Sequence, residues 1–166
     1  MATPTVGRLA ERLVSEVAPE ELPTFELISD TFYTRPEVRG STAANLLRGP
    51  RPGRPAGLDP ESVALVTQVV LLILGAIVSD RFVKQLGRYL RGARTWLGQR
   101  RLRRAIRSAQ TPNGPDTPLP KLSATHIREV GDLVRWVAVR AGLTPEVANR
   151  LANLVVAALT EPLPPE

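Results

Sequence analysis

From Ser62 to Ser79 the chain runs for 18 residues, SVALVTQVVLLILGAIVS, without one ionisable side chain. As an α-helix at ~1.5 Å per residue such a run is ~27 Å long, close to the ~30 Å hydrocarbon thickness of a bilayer. A rod that is apolar on every side has to be enclosed, either by lipid or by other helices. Ten basic residues follow with no acidic residue among them: Arg81, Lys84, Arg88, Arg91, Arg94, Arg100, Arg101, Arg103, Arg104 and Arg107. The pattern is a greasy rod joined to a cationic one.

A chain of 166 residues fits one ordinary domain or two small units on a linker. Its net charge is +6, yet residues 1–60 hold seven Arg against eight Asp and Glu. The excess therefore sits in 81–107 and predicts an anionic partner, lipid headgroups or nucleic acid. The absence of cysteine excludes disulfides, thiolate metal sites and cysteine nucleophiles. Only two of the 22 basic residues are lysine, which, with abundant Ala, Leu, Val and Pro, points to a high-GC bacterial genome. The first residues, MATPTVGRLAERLVSEV, contain acids and lack the apolar core of a secretory signal. Membrane targeting would have to come from Ser62–Ser79.

The expected fold is all-α. Residues 1–48 read as a small helical unit: Val6, Leu9, Leu13 and Val17 recur at helical spacing, Pro19 stops that helix, Pro23 starts a second and Pro36 a third. Residues 49–60 are a Pro/Gly linker. Residues 61–108 contain no proline and read as one long apolar-then-basic helix, or two with a bend near Gly87 or Gly92. Residues 109–121 form a second proline-rich linker, 122–160 a helical hairpin, and 161–166 a tail. In the hairpin, Gly142 ends one helix, Thr144 caps the next and Pro145 occupies its first turn. Neither terminal unit is large enough for an independent core, so each is expected to dock or dimerise.

The residues expected to span a bilayer are Val63, Val66, Val70, Leu71, Leu72, Ile73, Leu74, Ile77 and Val78, with burial inside a helical bundle as the competing reading. Gln68, Gly75 and Ser79 share one face of this helix and form the expected self-association face, small residues allowing close approach. The ten basic residues are the expected contacts to anionic lipid, with Tyr89 and Trp96 as interfacial anchors. Six basic residues flank the C-terminal end of the run within about 20 residues, against three at the other end. That bias places the basic helix and the hairpin on the cytoplasmic side of a bacterial cell membrane.

Two other chemistries are weaker. Val137–Leu151, VAVRAGLTPEVANRL, has the layout of a helix-turn-helix with polar Glu146, Asn149 and Arg150 on its second helix. No phosphate loop, metalloprotease, EF-hand or serine-hydrolase motif occurs, and His126 is the only histidine. No catalytic residue, cofactor or metal is expected.

The segment LSATHIREVGDLVRWVAVRAGLTPEVANRLANLVVAAL, with the Leu151–Leu159 stretch LANLVVAAL, resembles the closing segment of an uncharacterised family of small helical, predicted membrane-associated proteins from high-GC bacteria. The apolar segment with its early Thr67, followed by a basic helix, is similar too, although those proteins often carry proline where this chain has Gln68. The resemblance implies a membrane-associated helical protein, the anchoring partner of a regulatory or defence system, and transfers no catalytic residue. The expected function is thus a non-enzymatic membrane anchor or adaptor that binds a protein partner or another copy. The alternatives are a basic nucleic-acid-binding regulator and a small membrane-perturbing effector.

Overall fold

The computed structural model describes residues 4–48, 64–110 and 114–160. Among these lie eight α-helices and no strand beyond one isolated bridge between Thr5 and Pro118. In chain order they are α1 (Val6–Val17), α2 (Leu22–Thr34), α3 (Pro36–Arg48), α4 (Leu65–Ile77), α5 (Asp80–Gly92), α6 (Trp96–Ala109), α7 (Ala124–Ala141) and α8 (Pro145–Thr160). A 3₁₀ turn, Pro19–Glu21, joins α1 to α2.

Most helix limits follow from local capping chemistry. The hydroxyls of Ser123 and Thr144 accept the amides of His126 at 3.2 Å and Val147 at 3.3 Å, opening α7 and α8. Pro36 and Pro145 stand at the first positions of α3 and α8, where a missing amide proton costs nothing. Gly142 closes α7 with φ of 112°, in the left-handed region that a side chain makes unfavourable.

Ten of the thirteen residues of α4 are buried. Helices α1, α2, α3, α5, α6 and α7 all pack on it, and buried residues from all eight helices join one hydrophobic cluster. Each large apolar side chain enclosed in this way contributes about 1.5–3 kcal/mol. Helices α1, α2, α3 and α7, from terminal units too small to hold cores of their own, supply much of that cover. Val66, Val70, Leu71, Leu72, Ile73, Leu74 and Ile77, expected in lipid, are instead enclosed by protein, and Val78 is half-buried at the helix end. Val63 lies outside the described residues. No single described helix is long and apolar enough to cross a membrane; α4 and α5 together have the length and composition but meet at 109°.

The expected continuous helix over 61–108 is broken twice. At the first break the Ser79 hydroxyl accepts from the amide of Phe82 at 3.4 Å, and Asp80 enters the positive first turn of a new helix. At the second, close to the expected bend at Gly92, Thr95 caps α6 by accepting from Gly98 N at 3.0 Å. The expected self-association face is likewise used within the chain. Gly75 faces the side chain of Gln110, whose Nε2 donates to Leu72 O at 2.9 Å, while Ser79 is a cap and Gln68 is half-buried.

Two long-range devices fix the bundle. Ala64 offers α4 no side-chain cap, and Glu21, only 6% exposed, supplies one from a distant part of the chain. Its Oε2 accepts from Val66 N at 3.2 Å and its Oε1 from Thr67 N at 3.0 Å. Burial raises the pKa of this carboxyl, while the bonds from Thr67 and Val66 oppose the rise. The other device is a backbone clasp at the start of α1. Val6 and Gly7 donate to Thr117 O at 2.9 Å and Pro115 O at 2.8 Å, and Leu119 donates to Pro4 O at 2.9 Å. Part of the second predicted linker is thereby laid against the first helix.

Candidate anion-binding surface

The basic residues are carried by α5, α6 and the short elbow between them. Both helices are amphipathic. Phe82, Val83 and Leu86 of α5, and Leu102, Ile106 and Ala109 of α6, turn into the core, which drives the charges outward. Nine of the ten basic side chains are exposed and Arg103 is half-buried. They are not equivalent. Lys84 is paired with Asp80 at 2.8 Å, one turn earlier on α5, and the hydrogen bond and charge of Asp80 raise its pKa. It is the member of the set least free to meet an outside anion.

The approach of the two helices at the elbow is tight because position 98 is glycine. A methyl group at Gly98 would overlap the carbonyl of Gly92, so α5 and α6 meet this closely only without a side chain there. The turn presents Trp96 and Leu97, 68% and 51% exposed, two of the largest apolar groups left in solvent. Arg94 precedes them, Arg88 and Arg91 end α5, and Arg100 and Arg101 follow. The Arg100 guanidinium lies 5.7 Å from the centre of the Trp96 ring. Tyr89, expected as a second anchor, is instead half-buried, stacked on Phe82 and donating its hydroxyl proton to Gln85 Oε1 at 2.8 Å.

Helical spacing divides the arginines of α6 between two sides. Arg100, Arg103, Arg104 and Arg107, at three- and four-residue steps, face α3 across a cleft of about 720 Å³. Arg101 and Arg104 border a second cavity, of about 410 Å³, with Arg81, Phe82 and Tyr89 of α5. The first cleft gains Arg39 and Arg48 from α3, which the sequence reading did not join to the basic set. A usable signal was present: Arg39 and Gly40, then Ala43 and Ala44, then Leu47 and Arg48 repeat at helical steps, placing small residues and arginines on one face.

In the hairpin with the helix-turn-helix layout, polar residues of the second helix make contacts within the chain. Asn149 Oδ1 accepts from Arg135 Nε at 3.2 Å, and Arg150 donates to the Glu16 carbonyl at 2.8 Å. Two of the three polar residues of the would-be recognition helix thus serve intramolecular contacts. His126 contributes its backbone amide to the Ser123 cap, and no cluster of potential metal ligands occurs among the described residues.

Neither a known protein family, nor a curated protein, nor a solved structure matches this chain. The functional reading therefore stands on the surface itself.

Proposed function

We propose that this protein is a non-enzymatic helical adaptor that attaches peripherally to an anionic lipid surface through the α5–α6 elbow. The observation that carries this reading is the exposure of Trp96 and Leu97 in the middle of an arginine-rich stretch. Indole and leucine side chains favour the boundary between headgroups and acyl chains, and guanidinium groups beside them meet the lipid phosphates. Arg88, Arg91, Arg94, Arg100 and Arg101, at ~1 kcal/mol each near an anionic leaflet, would supply about 5 kcal/mol. Charge alone then gives sub-millimolar attachment, which two inserted apolar groups tighten.

Peripheral attachment leaves α4 where it packs. Moving α4 into lipid would leave the apolar faces of the six helices that pack on it open to water, at about 1.5–3 kcal/mol per large side chain, against the ~5–15 kcal/mol that ordinarily holds a domain together. Insertion of the rod would therefore require the bundle to come apart. The units around α4, with their acidic outer residues on α1 and α2, remain available to a protein partner on the cytoplasmic side of a bacterial membrane.

Cosedimentation of the full chain with vesicles tests the reading. Binding to vesicles containing phosphatidylserine, none to neutral phosphatidylcholine, release at high salt, and loss of binding in Trp96→Ser/Leu97→Ser are expected. Retention through an alkaline carbonate wash would replace it with an inserted α4. Binding to nucleic acid and not to anionic vesicles would replace it with the regulator.

A further inference from the structure

The cleft between α3 and α6 shares only Arg100 with the elbow. Six arginines line it, Arg39, Arg48, Arg100, Arg103, Arg104 and Arg107, and no carboxylate does so among the described residues. Like charges at such density repel one another unless an anion lies between them.

Parts of the cleft are held in place. Arg39 is only 6% exposed and donates to the carbonyls of Phe32 at 3.3 Å and Tyr33 at 2.9 Å, which fixes it at the end of α2. Opposite it, the Nε of Arg103 is buried with no hydrogen-bond partner. Behind this wall Arg140 donates to Leu47 O at 2.6 Å; burial and the nearby charge of Arg103 both lower its pKa. Between the arginines the α3 wall carries Gly40, Ala43 and Ala44, so the described side chains leave the space open.

We propose that this cleft binds a compact oligophosphate, the di- or triphosphate group of a small ligand. Guanidinium groups pair with phosphate oxygens through parallel hydrogen bonds, and a chain of two or three phosphates can engage arginines on both walls at once. A flat bilayer reaches the exposed rims of the cleft but not Arg39 or Arg103. A single monovalent anion leaves most of the charges unmatched. The site adjoins the elbow through Arg100, which lies 5.7 Å from the Trp96 ring centre, and holds whether or not the elbow meets lipid.

Titration calorimetry of the full chain with inorganic tripolyphosphate, at ionic strength held constant with sodium chloride, tests the assignment. Saturable one-to-one binding is expected, weakened at least tenfold in Arg103→Gln/Arg107→Gln and unchanged in Leu97→Ser, which keeps the Trp96 ring beside Arg100. If the first variant does not fold by circular dichroism, Arg48→Gln/Arg104→Gln, two exposed positions, replaces it with the same expectation. Absence of saturable heat would overturn the proposal. So would equal affinity in the folded arginine variant, or binding of single-stranded nucleic acid without binding of tripolyphosphate.

Discussion

Replacing Glu21 by alanine should remove the acceptors that hold the start of the central helix. Two hydrogen bonds from buried amides to a carboxylate are lost, each worth about 1.5–3 kcal/mol. Relief from keeping a carboxylate out of water offsets part of this, which leaves a net loss of about 2–4 kcal/mol. An ordinary exposed cap costs ~1 kcal/mol, so the expected value marks the cap as buried. Urea unfolding followed by circular dichroism reads it as a midpoint about 1–2 M lower, for a slope near ~2 kcal/mol per M. Glu20→Ala, at the exposed neighbouring position, should stay within about 0.5 kcal/mol. The pH dependence has a definite sign. Burial holds the Glu21 carboxyl above its ordinary value of 4.5 in the folded protein, so the folded state binds this proton more tightly than the unfolded chain. The associated stability is present below that ordinary value and is lost as pH rises through the raised one. Glu21→Gln cannot ionise, so the stability of wild type relative to it should decline over that window. A Glu21→Ala protein within 0.5 kcal/mol of wild type at unchanged slope would refute the cap, as 0.5 kcal/mol is about the spread of neutral surface changes.

Gly98→Ala should destabilise by about 1–3 kcal/mol because its methyl group meets the Gly92 carbonyl at the elbow, whereas Gly40→Ala, with open space around it, should stabilise α3 by about 0.5–1 kcal/mol. Paired urea curves check both signs in one experiment. Burial pushes the Tyr33 hydroxyl up from 10.0 to about 12, so the ionisation near 295 nm isolated as the difference between wild type and Tyr33→Phe should lag the ordinary value. Stability associated with the neutral phenol is correspondingly lost as pH rises through that range.

Helices whose limits are set by neighbouring residues were legible in the sequence. Pro36, Thr144, Pro145 and Gly142 mark ends that the structure keeps, because caps and breakers act within a turn. The surroundings of the apolar run were not legible, since length and hydropathy are the same for a rod in lipid and a rod in protein. What separates them is whether Leu9, Phe32, Leu46 and Val134, far apart in sequence, converge on one axis. Ser79-Asp80 was a readable helix start that the uncharged run obscured. The arginines of α6 were visible as a charge block, but their division into two sides depends on where α3 and α5 pack. Glu21 gave no local signal at all, as its partners lie 45 and 46 residues away.

The enclosure of α4 also has a consequence in time. During synthesis α4 is complete well before α6 and α7, which form part of its cover. At ~5–20 residues per second, the roughly 60 residues between the end of α4 and the end of α7 take about 3–12 s to add. For that interval the ribosome carries a greasy segment with only an N-terminal partial shelter, open to any factor that recognises nascent apolar helices. Codon usage or a holdase that alters the interval would then change whether the rod is taken by its own chain or delivered to a bilayer.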